Sequence, residues 1–323
     1  MNNQKYDSAF KATMNGILDL FKKQIPIGQL SDNERLDGKT CLVTGANSGL
    51  GFAIATQLAE RGAHVIMACR NDIPNAGIEV MKLSRNKNVE MLFVDLSELQ
   101  SIDNLVVQLK EKSILIDICI FNAAVVPKGS LKTSSGFDQM FLVNYLSTFK
   151  LANLLLSENI IVANAAQAPR LIFVSSESHR TQQPIDVDHL GVFENYTMGK
   201  VIALYGYYKL LMNTFATELS RRLNADKINV SVFALCPGPI NSNIARAAPK
   251  IFMPLLKLIF ALFFKSPKEA AAPVLYLACS HSLQNTTGMY LHLMQQKMMD
   301  DKALDPISGK KLWEKSEALL KGH

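Results

Sequence analysis

Two tyrosines in this chain are each followed four residues later by a lysine: Tyr196 with Lys200, and Tyr205 with Lys209. On a helix that spacing puts both side chains on one face, where the ammonium favours phenolate and brings a weak acid toward working pH. Gly199 lies inside the first pair and is a poor helix former, whereas Tyr205 opens the patterned run to Leu223. The chemistry is therefore assigned to Tyr205 and Lys209. The competing reading of such a pair is an exposed helix contact worth a few tenths of a kcal/mol.

A second stretch with chemical meaning is Thr44-Gly45-Ala46-Asn47-Ser48-Gly49-Leu50-Gly51, set between the apolar run Cys41-Leu42-Val43 and a helix-like run from Phe52 to Glu60. Strand, glycine turn and helix are the order that a dinucleotide's phosphates require. Gly45 permits a sharp turn, Gly49 and Gly51 remove side chains where a pyrophosphate meets backbone, and the helix N-terminus offers free N–H groups. A glycine-rich turn with no ligand is the alternative, because the pattern alone is weak.

The elements that would position these groups read as alternating strands and helices. Strands are predicted at Thr40 to Thr44, Ala63 to Cys69, Val89 to Val94, Ile114 to Phe121, Leu171 to Ser176, Ile228 to Leu235 and Gly288 to Leu293. Their near-continuous apolar runs, separated by helical segments, indicate parallel strands buried on both faces, with ligand groups at their carboxyl ends. The second strand ends in Arg70 rather than a carboxylate, which suits a 2′-phosphate and favours NADP(H); Asp72 just beyond keeps NAD(H) open. Asp95-Leu96 ends the third strand and Asn122-Ala123 the fourth, placing Asp95 near an adenine and Asn122 near a ribose, or else tying down local backbone.

Asn144 falls in the middle of a long helix predicted from Phe137 to Ser157, a position asparagine disfavours. Either it bonds a neighbouring backbone or its carbonyl joins a water chain to an active site. A loop of about two dozen residues follows Ser175-Ser176, long enough to be functional. Cys236-Pro237-Gly238-Pro239 is a rigid turn suited to wall a nicotinamide, and Ser266-Pro267-Lys268-Glu269 is a capping box that starts a helix running to about Cys279.

With 323 residues, the chain can bury one substantial core. Its 34 basic and 28 acidic residues are scattered rather than gathered in a basic stripe, which argues against nucleic acid as a partner. Five cysteines (Cys41, Cys69, Cys119, Cys236, Cys279) lack metal-type spacing and sit at apolar positions. They read as buried reduced thiols, with neither a metal site nor a structural disulfide.

No secretory signal is read at the N-terminus; the predicted location is the cytoplasmic side, soluble or peripherally membrane-associated. Phe10, Met14, Ile17, Leu18, Phe21 and Ile25 recur at helical spacing, so residues 8–27 form an amphipathic helix that packs on the domain or meets a membrane surface or partner. The apolar segment 251–264 is interrupted by Pro254 and Lys257 and is shorter than the roughly 20 residues needed to cross a bilayer. It reads as a substrate lid or membrane-facing flap, or as a plain core helix.

Taken together from about Leu36 to Leu293, these motifs resemble the short-chain dehydrogenase/reductase superfamily. The resemblance rests on the Thr44 to Gly51 turn, Asp95, Asn122, Asn144, Ser176, Tyr205 with Lys209, and Pro237-Gly238. Ala68-Cys69-Arg70, Ser175-Ser176-Glu177-Ser178-His179, Lys209-Leu210 and Pro267-Lys268-Glu269 look like the branch of retinol dehydrogenases and WW-domain-containing oxidoreductases. Three departures stand out: Ala124 after Asn122-Ala123, Ser147 after Asn144, and Tyr208 before the lysine. The bulky Tyr208 leaves homo-oligomerisation open.

The resemblance implies a Rossmann-type doubly wound parallel sheet of about seven strands with helices on both faces. It divides the chain into an N-terminal extension (1–35), a dehydrogenase domain (36–295) and a C-terminal tail (296–323). It implies that Tyr205 transfers a proton, Lys209 holds the nicotinamide ribose, Ser176 bonds the carbonyl oxygen and Asn144 anchors a water relay. Gly45, Asn47, Ser48, Gly49, Leu50, Gly51, Arg70, Asp95, Leu96, Asn122, Ala123, Pro237, Gly238 and Ile240 would contact the coenzyme. The implied substrate is a lipophilic carbonyl or alcohol such as a retinoid, steroid or fatty carbonyl. A catalytically weak NADP-binding scaffold or redox sensor is the competing function.

Overall fold

A computed structural model of the chain describes residues 27–163, 167–181, 183–239 and 265–322. The amphipathic stretch before Ile27, Ile240 and the apolar segment 251–264 lie outside the described residues. The order is β1 (Thr40–Thr44), α1 (Gly49–Glu60), β2 (His64–Cys69), α2 (Asn75–Ser84), β3 (Val89–Phe93), α3 (Leu99–Glu111) and β4 (Ile118–Phe121). There follow α4 (Gln139–Ser157), β5 (Arg170–Val174), α5 (Met198–Ala225), β6 (Ser231–Cys236), α6 (Pro267–Ala270) and α7 (Ala272–Cys279). The chain ends with β7 (Met289–His292), β8 (Gln295–Lys297), α8 (Asp301–Leu304) and α9 (Pro306–Lys321).

All eight strands form one sheet in the order β3-β2-β1-β4-β5-β6-β7-β8, parallel except for the final β7–β8 pair. The seven predicted parallel strands are present. The eighth is a three-residue antiparallel strand, Gln295–Lys297, too short and too polar to signal itself by alternation. Strand order reverses between β1 and β4, and the crevice at their carboxyl ends is where open α/β sheets receive ligands.

Strict alternation along the strands divides the core in two. Leu42, Cys119, Leu171, Phe173, Val232 and Ala234 face α3, α4, α5 and α9. Cys41, Val43, Ile120, Ile172, Phe233 and Leu235 face α1, α2 and α7. This is the both-faces burial that the unbroken apolar runs required. All five cysteines are buried free thiols. Among the described residues, α4 is the one helix long and apolar enough to cross a membrane, and 72% of its apolar window is buried inside the fold, as in a core helix.

The C-terminal residues, in which no motif was legible, form a helix packed on α4 and α5. Trp313 lies 5.1 Å from the Phe149 ring and 5.6 Å from Phe215, under the Arg222 guanidinium at 4.2 Å. Tyr145 Oη and Ser316 Oγ share a buried hydrogen bond of 2.6 Å. The capping box at Ser266 and Glu269 forms as expected, with Ser266 Oγ accepting from Glu269 N.

Candidate active site

The glycine turn is shaped by Thr44 and Asn122, which sit side by side at the ends of β1 and β4. Thr44 Oγ1 accepts from the main-chain N–H groups of Asn122 (3.0 Å) and Ala123 (3.1 Å). Asn122 Nδ2 donates to the carbonyls of Thr44 (3.0 Å) and Gly45 (3.3 Å). Of the two roles open to Asn122, its amide nitrogen takes the local one: it braces the loop.

Gly45 and Gly49 have φ of +65° and +56°, and a Cβ on Gly51 would lie 2.2 Å from the Gly45 carbonyl oxygen and 2.5 Å from Asn122 Nδ2. No side chain fits at Gly51, whereas the space a Cβ would take at Gly49 is open. Ser48 is the N-cap of α1 and spends no side-chain bond on it. The first N–H groups of α1 are thus left uncapped by Ser48, as a site for a pyrophosphate requires. Leu50 is buried behind the loop, and Asn47 is half-buried in it.

Arg70 and Asp95 come together at the ends of β2 and β3, with Arg70 Nη1 3.4 Å from Asp95 Oδ2. Arg70 is about half exposed, at 49% of its side chain. Asp95 Oδ1 accepts from Ser97 N (2.9 Å) and Ser97 Oγ (2.6 Å). Leu96 is buried, and its carbonyl accepts from Ser147 Oγ at 2.6 Å. That bond gives the departure at Ser147 a purpose: it ties α4 to the turn after β3.

Asn144 lies in a π turn, Leu142–Leu146, within α4. Its side chain makes a paired bond with one residue: Oδ1 accepts from Val125 N (2.8 Å) and Nδ2 donates to Val125 O (2.9 Å). The first of the two readings of Asn144, a bond to neighbouring backbone, thus describes its side chain, and a π turn of this kind recurs at functional sites.

Helix α5 begins at Met198, earlier than the predicted start at Tyr205, and includes Gly199. Tyr196 lies before it, with its hydroxyl donating to Asp138 Oδ2 at 2.9 Å, so the first tyrosine-lysine pair shares no helix face. Tyr205 and Lys209 do. Lys209 is buried and donates to the Val174 carbonyl at the end of β5 (2.8 Å), with its Nζ 5.7 Å from the Tyr205 ring centre.

The expected lowering of the Tyr205 pKa by Lys209 is corrected by this geometry. Burial pushes the Tyr205 phenol above its usual range, and nearby Cys236 adds to that push. Burial also pushes Lys209 down to about 8. The ammonium lies over the ring and donates to Val174, and burial is the largest influence on the phenol.

Ser176 follows β5 as the N-cap of a short 3₁₀ turn, Glu177–His179, its Oγ accepting from Ser178 N at 3.2 Å. Helix α5 approaches this turn through Gly206, where a Cβ would stand 2.6 Å from the Ser178 carbonyl oxygen. The residue after Tyr205 is therefore what lets the Ser176 turn lie against the helix. Pro237 is buried and Gly238 half-buried at the end of β6. Tyr208 packs away into the core, 5.6 Å from Phe141, so its bulk is absorbed between α4 and α5.

A cluster around Glu177 was not foreseen. Its buried carboxylate accepts from Tyr290 Oη (2.8 Å) and Arg180 Nε (3.1 Å), with Lys297 Nζ at 3.6 Å. Burial alone would raise its pKa, but His292, Arg180, His179 and Lys297 hold it down at about 2. The only hint in the sequence was the run Glu177-Ser178-His179 after the serine, since Tyr290 and Lys297 are distant along the chain.

The short chain dehydrogenase family model matches residues 39–187. Mouse retinol dehydrogenase 13 is 34% identical over 311 residues, covering 93% of this chain and 89% of its own. The chicken WW domain-containing oxidoreductase is 31% identical over 301 residues, covering 88% of this chain and 69% of its own. Among solved structures, angucycline C-6 ketoreductase LanV with bound NADP superposes with a TM-score of 0.60 at 26% identity, over 80% of this chain and 95% of its own.

Proposed function

Because the chain belongs to the short-chain dehydrogenase family, we propose that it interconverts a lipophilic carbonyl and its alcohol, using NADP(H) in preference to NAD(H). The observations that support this reading are that Lys209, over the Tyr205 ring, reaches the end of β5 just before Ser176, and that Gly206, next to Tyr205, lies against the turn that Ser176 opens. The coenzyme, when bound, supplies or accepts the hydride. The amides that open α1 and the space at Gly49 would hold its pyrophosphate, and Arg70 would meet a 2′-phosphate.

Tyr205 Oη gives a proton to the carbonyl oxygen during reduction and takes it back during oxidation. Burial keeps this phenol in the protonated form that donates, and also makes it a weaker acid, so the donation is favoured only as negative charge develops on the carbonyl oxygen. Ser176 Oγ donates a hydrogen bond to the same oxygen, stabilising charge as it develops. Lys209, on the same helix face as Tyr205, would offer its charge to the coenzyme's ribose, and Asn144 holds the backbone at Val125.

Support for a lipophilic substrate comes from α5, where Met198 and Ile202 recur at helical spacing with Tyr205 and are 50% and 59% exposed. The names of the relatives, retinol dehydrogenase among them, point the same way. Such substrates partition into bilayers, which fits the sequence expectation of peripheral contact through 8–27 or 251–264.

A screen of fatty, retinoid and steroid carbonyls against NADPH and NADH in parallel tests the proposal. The expected result is NADPH consumption with lipophilic aldehydes or ketones and little with sugars. NADPH binding without turnover of any carbonyl would contradict it and favour the scaffold reading.

A further inference from the structure

We propose that His179 and Glu177 are positioning residues, which with residues 297–300 orient the turn that carries Ser176. This rests on the hydride-transfer reading above. His179 Nε2 lies 3.2 Å from the main-chain nitrogen of Asp300, which can only donate. Nε2 must therefore accept, so the hydrogen sits on Nδ1, and Nδ1, 2.7 Å from the Ser176 carbonyl, donates to it. One neutral imidazole thus joins the main chain of Ser176 to that of Asp300, across a sequence separation of 121 residues between His179 and Asp300.

The neighbouring bonds run between the same two segments. Arg180 Nη2 donates to the Met298 carbonyl (2.5 Å), and Glu177 takes Lys297 on one oxygen and the β7 hydroxyl of Tyr290 on the other. Lys297 Nζ in turn sits 2.8 Å from His292 Nδ1. The antiparallel strand β8 brings these partners into place, since it pairs Lys297 with Tyr290.

Buried ion pairs add little net stability compared with apolar packing, but they define direction. Here the direction matters, because the far side of the turn rests against Gly206, the residue after Tyr205. A shift of about 1 Å in this turn would move Ser176 relative to Tyr205, and displacements of that size cost about 100-fold in rate. The polar cluster is thus a brace that sets the serine hydroxyl against the tyrosine.

The test uses the full chain with NADPH and decanal. His179→Asn keeps a donor near the Ser176 carbonyl but cannot reach Asp300; Lys297→Gln removes a partner of Glu177 from the hairpin side. Each is made alone and in a Ser176→Ala background. The brace predicts that kcat falls about 30-fold in His179→Asn and about fivefold in Lys297→Gln, with NADPH Kd unchanged within about twofold. In the Ser176→Ala background both effects shrink below about twofold, because there is no hydroxyl left to orient.

Undiminished effects in that background, or wild-type kcat in both variants, would overturn the proposal. If His179→Asn fails to fold, Lys297→Gln, at a half-buried position, carries the same comparison. Hydrogen exchange separates this inference from the reaction itself. Faster exchange in peptides 175–181 and 296–301 of the variants supports the brace even if wild type turns over no carbonyl, whereas unchanged exchange in both peptides overturns it.

Discussion

The two halves of the site are held by different physics. On the coenzyme side, Thr44, Asn122 and the main chain shape the glycine turn through bonds between neutral groups, and Gly51 fits because it has no side chain. On the proposed catalytic side, the turn that carries Ser176 is bonded to a buried carboxylate, a guanidinium, an ammonium and an imidazole. Neutral bonds are indifferent to pH and depend on local fit; buried charges respond to pH and depend on distant partners. The glycine turn should therefore be indifferent to pH, whereas the catalytic half should respond to it.

The largest effect expected on the coenzyme side is from Gly51→Ala, whose Cβ would collide with the Gly45 carbonyl. NADPH affinity measured by fluorescence titration should fall about 30-fold or more, matching a strain of about 2 kcal/mol. On the catalytic side, Gly206→Ala should lower kcat at least tenfold while NADPH Kd holds within about twofold, since the new methyl displaces Ser178 and with it Ser176. Equal losses of affinity in both variants would dissolve the distinction.

A pH series sharpens it further. Burial holds the His179 pKa down to about 4 from 6.5, so the unfolded chain binds the proton more readily. Its contribution is complete above pH 6.5 and is lost as the pH falls through 4, on the order of 3 kcal/mol in all. Glu177, lowered to about 2 from 4.5, adds a second loss below pH 4.5. Thermal melts should show Tm dropping across this window in wild type and a shallower slope in His179→Asn. The smallest effect is expected at half-exposed Arg70, where Arg70→Asp should shift the NADPH-to-NADH ratio of kcat/KM toward NADH by about tenfold. An unchanged ratio would remove Arg70 from the coenzyme site.

The same contrast governs what could be read from the sequence. The glycine turn, Arg70, Asn122 and the tyrosine-lysine pair each lie in one local run of strand, turn or helix, and local runs carry their periodicity and turn chemistry in plain view. The capping box at Ser266 was legible for the same reason. Nothing local announces that Lys297 will reach Glu177, or that Trp313 will close over Phe149 and Phe215; these pairings exist only once β7, β8 and α9 are in place.

Electrostatics was misread where burial had to be known. Spacing put Lys209 beside Tyr205, but whether it lowers the phenol's pKa depends on desolvation and on the carbonyl of Val174, neither of which spacing contains. Asn144 and Asn122 each carried two readings in the sequence, and the backbone bonds that both make needed the coordinates of Val125 and Thr44.

In the proposed function, Tyr205 moves the proton while the glycine turn holds the coenzyme independently. Single-turnover oxidation of NADPH by a lipophilic aldehyde, with NADPH binding measured on the same Tyr205→Phe sample, tests it most directly. The expected result is a loss of about 1,000-fold in the hydride-transfer rate with Kd unchanged within about twofold. A Tyr205→Phe chain that oxidises NADPH near the wild-type rate would contradict it.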